Sequence, residues 1–167
     1  TRDWQLVAHV ADVLRFDVAV RSHRGHDAAQ LREGVSAAET VLTEALARQP
    51  DARYVSAYVH RLALLALRTR HVVDTEVSMR MAQEVTRWLE TMDGPVSPRF
   101  RLLRIRLAQI LQGDVAYEAM LRESTYAHPA AVGAWLRLVD YLENEKEDIE
   151  SAIKELDAAI EAMRHGA

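Results

Sequence analysis

The chain contains no cysteine in its 167 residues. That absence removes disulfide scaffolding, thiol catalysis, zinc-finger ligation and Fe–S chemistry together, and it suits cytosol and periplasm alike. Glycine and proline are scarce, at 6 and 4, and with 49% hydrophobic residues this leaves little room for disordered or low-complexity segments. No segment reaches the eighteen or so apolar residues that a membrane span requires; the densest run, Leu62 to Leu67, is bounded by Arg61 and Arg68. Alternating runs of β-branched residues are missing, so strands are not expected. Positive charge is not in excess either. A net charge of −4 and a pI near 6.0 give no general attraction to phosphate backbones or anionic lipid, and no nucleic-acid partner is expected. Glycine-rich phosphate loops, nucleophile elbows and zinc-protease motifs are also lacking, and Ser36, Ser56, Ser78 and Ser151 fall in helical segments without an adjacent base. The expectation is a protein that is not an enzyme and takes no cofactor.

What is present is an ordered helical chain. A content of 49% hydrophobic and 28% charged residues, over this length, supports one domain with its own core. Apolar residues recur at spacings of three and four, as in Leu6, Val10, Val13 and Leu14. Breaks fall at residues 24–27, 49–51, 71–75, 93–98, 113–114, 128–129 and 144–148, and they predict eight helices: 3–22, 28–48, 52–70, 75–92, 98–112, 115–127, 130–143 and 148–164. Asp27, three residues before Gln30, has the spacing of a capping box. Ser97 followed by Pro98 suits an N-cap and a first-turn proline, and Gly113-Asp114 reads as a helix-ending glycine followed directly by the next N-cap. The third helix carries Val55, Tyr58, Val59, Leu62, Leu64, Leu65 and Leu67 on more than one face, so it is expected to be packed on several sides.

The later breaks also carry a repeat. Phe100, Leu103, Leu107, Ala116, Met120 and Glu123 are followed by His128-Pro129, and the next unit repeats the order with Trp135, Leu138 and Leu142, then Ala152, Leu156 and Ala159. This spacing resembles the tetratricopeptide repeat (TPR), a helix–turn–helix of about 34 residues with large residues in its first helix and small ones where the helices cross. The resemblance covers residues 97–166 as two repeats, while residues 1–96 resemble the family only as longer, degenerate hairpins. It implies an all-α fold: an α-solenoid of about four antiparallel hairpins in a single domain over 1–167. It also implies a non-catalytic scaffold or adaptor, of the kind found in bacterial assembly, secretion or regulatory proteins, that binds a peptide or helix of another protein in its concave groove. The alternative expectation is a helical sensor or dimerisation domain of a larger enzyme or transcription regulator. The start at Thr1, without Met and without a leader-like segment, fits a soluble segment of a larger, membrane-anchored protein; compartment is otherwise open, with a slight lean to the cytoplasm.

The repeat register points Arg101, Gln109, Asp140, Glu143 and Asn144 at the groove, with Tyr58 and Arg61 added from the third helix. The family's clamp for carboxy-terminal peptides uses Lys and Asn at groove positions that here hold Arg101, Ile105, Leu136 and Asp140, which argues against that specificity. Arg99, Arg101, Arg104 and Arg106 form a basic run, and residues 143–161 hold eight acidic against two basic residues. His23, His26 and Asp27 are the one compact group of metal-ligand types, but Asp27 is better explained as an N-cap, so no metal is expected.

Overall fold

The computed structural model describes residues 2–48, 52–70, 75–91 and 97–165. The expected breaks at 49–51 and 71–74, most of that at 93–98, and the side chain of Trp4 lie outside the described residues. Among the described residues the structure is all helical: α1 (Arg2–His23), α2 (Ala28–Ala47), α3 (Ala52–Thr69), α4 (Thr75–Thr91), α5 (Pro98–Gln112), α6 (Asp114–Ala127), α7 (Val132–Asp140), a π-helical turn (Tyr141–Glu145) and α8 (Ile149–His165). The chain divides into two compact units, Thr1–Pro95 and Val96–Ala167.

In the first unit, α3 packs against α4, α2 and α1, and buries Tyr58, Val59, Leu62, Ala63, Leu65 and Ala66. The several apolar faces of α3 are thereby used. α2 buries a single stripe, Leu31, Val35, Ala38, Leu42 and Ala45, at alternating spacings of four and three. Polar contacts fix the helices in register. Ser78 Oγ donates to the Ala66 carbonyl at 2.7 Å, Arg80 forks onto Glu39, and Arg61 forks onto Asp12 with two bonds of 2.8 Å. At the start of α2, Asp27 accepts from the Ala29 amide, but Gln30 turns to His26 Nδ1 at 2.9 Å instead of closing a capping box. The neighbouring imidazole is the nearer partner.

In the second unit α5 packs on α6, α6 on α7 and α7 on α8, around Ile105, Tyr117, Leu121, Leu138, Tyr141, Leu142 and Ala152. Ser97 caps α5 by accepting from the Phe100 amide, with Pro98 in the first turn where its missing N–H is harmless. Gly113 serves both helices. It closes α5 and its carbonyl accepts the first bond of α6 from the Tyr117 amide, so Asp114 opens α6 rather than capping it. Two helices that pack side by side through one connecting residue must reverse direction there. The price in backbone geometry falls on Gly113, at φ 86° and ψ −179°.

α7 ends earlier than its apolar period predicts. From Tyr141 the chain widens into a π turn, in which the Lys146 amide donates to the Tyr141 carbonyl five residues back; the Asp148 amide then reaches Leu142, with Glu147 left-handed at φ 57°.

Two predictions follow from this geometry. Gly113→Ala meets no neighbouring atom, so its penalty is backbone strain alone: a loss of about 1–3 kcal/mol, read by chemical denaturation. The Asp12 carboxyl is held below the usual carboxylate range, first by its hydrogen bonds to Arg61. A depressed folded pKa stabilises above the unfolded value and is lost as pH falls through the folded one. Asp12→Asn should therefore destabilise at pH 7 by up to about 1 kcal/mol, given the partial exposure of the pair, and the difference from the parent should begin to shrink below about pH 4 and vanish once pH has fallen past the lowered folded value.

Candidate partner-binding site

The basic run of α5 divides in space. Arg101, Arg104 and Ile105, at positions i, i+3 and i+4, lie on one face of the helix, opposite Met120, Glu123, Ser124 and Ala127 of α6. Together with His128 they line an open pocket of about 200 Å3. Its floor is apolar, formed by buried Ile105 and half-buried Met120. Among the described residues, no hydrogen bond or ion pair engages the side chain of Arg101 or Arg104. The rim therefore presents two guanidinium groups against one carboxylate, Glu123.

Arg106, from the same run, turns inward. It is largely enclosed, its Nε is buried without a partner, and burial, reinforced by the charge of Arg137, pushes its pKa down. Arg137 itself is fully engaged. Its Nε donates to the Tyr117 hydroxyl at 2.6 Å, one terminal nitrogen to Asp140, and the other to Glu145 at 2.7 Å. Burial opposes its charge, but the oxygens of Tyr117, Glu145 and Asp140 outweigh burial and hold its pKa above the ordinary arginine value. Glu145 also accepts from Gln109 Nε2 at 2.8 Å, and the same nitrogen reaches Asp114 at 3.0 Å. Asn144 donates to the second oxygen of Asp140 at 3.0 Å. Tyr117 and Tyr141 meet edge to face at 5.0 Å beneath this network, and the Tyr141 hydroxyl donates to the Asp114 carbonyl.

The residues singled out from register are thus distributed over several settings rather than one groove. Gln109, Asp140 and Asn144 are brought together, joined through Glu145 and Arg137. Gln109 is only 7% exposed, so its amide serves the network rather than an open surface. Glu143 is exposed on the π turn. Arg101 lines the α5–α6 pocket, whose lining includes none of Gln109, Asp140, Glu143 and Asn144. In the first unit Tyr58 is 0% exposed, enclosed because α3 is covered by α1, α2 and α4, and Arg61 is committed to Asp12. Neither of these two offers a free groove side chain. Arg137, Tyr117 and Glu145 escaped the register reading. The signal for Arg137 was its position three before Asp140 on the same helical face.

Tyr117→Phe removes the acceptor of a guanidinium bond and leaves Arg137 Nε short of a partner. The expected cost is about 1–2 kcal/mol in the unfolding free energy of this unit, whereas Glu143→Ala, on the exposed side of the π turn, should change it by less than about 0.5 kcal/mol. Among the described residues no group of three or more His, Asp or Glu side chains is placed to hold a metal ion, and no helix is long and apolar enough to cross a membrane. Comparison with protein-family models, with curated proteins and with solved structures gives no match to this chain.

Proposed function

We propose that the chain is a non-catalytic protein-interaction module, a TPR-like α-solenoid of helical hairpins, and that residues 97–166 bind an acidic segment of another protein at the α5–α6 pocket. The observation that carries this reading is the unengaged pair Arg101 and Arg104 above an apolar floor. A guanidinium fork matches a carboxylate in two hydrogen bonds, and the apolar floor gives a neighbouring Leu, Ile or Phe a place to bury. A short segment with an acidic residue beside a large apolar one satisfies both. The repeat spacing of residues 97–166 supports the solenoid part of the reading, since such hairpins expose one helix of each pair to partners.

An array of acidic and basic peptides, probed with the purified chain, tests the proposal. Acidic peptides with an adjacent apolar residue are expected to bind, with affinity falling between about 50 and about 300 mM salt as the charges are screened. Arg101→Glu with Arg104→Glu should weaken the best of them at least about 30-fold while leaving the melting temperature unchanged, because both side chains are free of internal bonds. Equal binding by parent and double variant, or preference for basic peptides, sinks the idea.

A further inference from the structure

Helix α8 turns its small side chains inward and its large ones outward. Ala152, Glu155 and Ala159 are buried, whereas Ile149, Ile153, Leu156, Ile160 and Met163 stand 38 to 56% exposed. Their spacings of four, three, four and three residues draw one straight stripe along about 20 Å of helix, at the 3.5-residue average of a helix–helix seam. Single exposed leucines are ordinary, but five large apolar residues in one register form a continuous patch that calls for a cover. Along one flank run Glu150, Asp157 and Arg164, each directly following a stripe residue; the other flank is Ala152 and Ala159.

We propose that this face joins two copies of the chain, with α8 packed antiparallel to α8 of a second copy about an axis near residue 158. In that register Leu156 lies opposite Ile160 of the second copy and Ile153 opposite its Met163. Glu150 then stands beside Arg164 of the second copy, twice over by symmetry, while Asp157 stands beside its own symmetry mate. Sliding the helices by one heptad in one direction sets Glu150 against Asp157 twice; sliding in the other direction pairs Asp157 with Arg164 but leaves only Ile160 and Met163 of the stripe facing the second copy, and a parallel pairing sets the charged flank against the alanines. Charge and apolar overlap together therefore select the first register over the others. Among the described residues Arg164 pairs with the exposed Glu161, a pair too weak and too solvated to withdraw it.

The first unit also exposes apolar residues, Leu6, Val10, Val13 and Phe16 of α1. Among the described side chains of that helix, Asp12, Arg15, Asp17 and Arg21 are paired with one another or with Arg61 and are less exposed than Arg164 and Glu161, so they give no comparable register for a second copy. A seam of this length buries an area at the low end of specific interfaces, about 1,200 Å2 in total, so a weak, reversible dimer is expected.

Sedimentation equilibrium on the whole chain, from about 1 to about 300 µM, should show a monomer–dimer equilibrium in that range. Leu156→Asp with Ile160→Asp should abolish the dimer, with helical content and melting checked by circular dichroism. Glu150→Arg alone and Arg164→Glu alone should each raise the dissociation constant about tenfold, and the two together should restore it to within about threefold. Asp157→Asn should tighten it. These charge variants touch only exposed side chains, so they carry the test even if the apolar double variant fails to fold. A chain that stays monomeric throughout, or a dimer that survives the α8 apolar variant but not Phe16→Asp, overturns the proposal. A double charge swap no tighter than its singles overturns the antiparallel register.

Discussion

A single guanidinium, that of Arg137, ties α6, α7 and the π turn of the second unit together. Its donors reach α6 through Tyr117, its own helix through Asp140, and the π turn through Glu145, and Glu145 in turn fixes Gln109 on α5. Helices that meet only through apolar side chains can slide by a turn at modest cost; a planar fork with its oxygens in place cannot. Burial works against the cation and the partner oxygens restore it, so the network is stable only when complete. Arg106 marks its edge. With the nearby carboxylates committed to Arg137 and Gln109, the buried Nε of Arg106 is left without a partner.

The π turn is the backbone counterpart of this network. A regular α-helix through residues 141–145 advances about 100° per residue, and the wider turn resets that phase. Tyr141 and Leu142 can then both enter the core while Asn144 and Glu145 come round to the polar cluster. Glu147 completes the corner in a left-handed conformation that a non-glycine residue adopts only when its surroundings fix it, here the bond from the Asp148 amide to Leu142.

Helix existence and most helix ends were legible in the sequence because the signals act within a few residues. Ser97 and Pro98 start α5, Gly113 ends it, and His128-Pro129 closes α6. The end of α7 was not legible, since a π turn has no composition of its own and its cause is the distant pairing of Glu145 with Arg137 and Gln109. Site residues fared according to the same distinction. Register places Asp140 and Asn144 on one helical face, and they do meet, but register says nothing of what stands opposite. Tyr58 lies under three helices, and Gln109 is drawn in by acids from α6 and the π turn. On α8 the habit of assigning large residues to the core fails, because close approach there is made by Ala152 and Ala159 and leaves Leu156 outside.

The corner at Gly113 bears on the pocket at the opposite end of the same hairpin. With no linker between α5 and α6, the two packed helices are joined at one residue, and the pocket lies near their far ends, about 18 Å along α5 from the joint at Arg101. A hinge change of about 5° at that single residue, where φ is already outside the range other residues tolerate, moves the tips apart by roughly 1.5 Å over that lever. The distance from Arg101 and Arg104 to the facing α6 side chains is thereby tied to the conformation of a residue about 18 Å away.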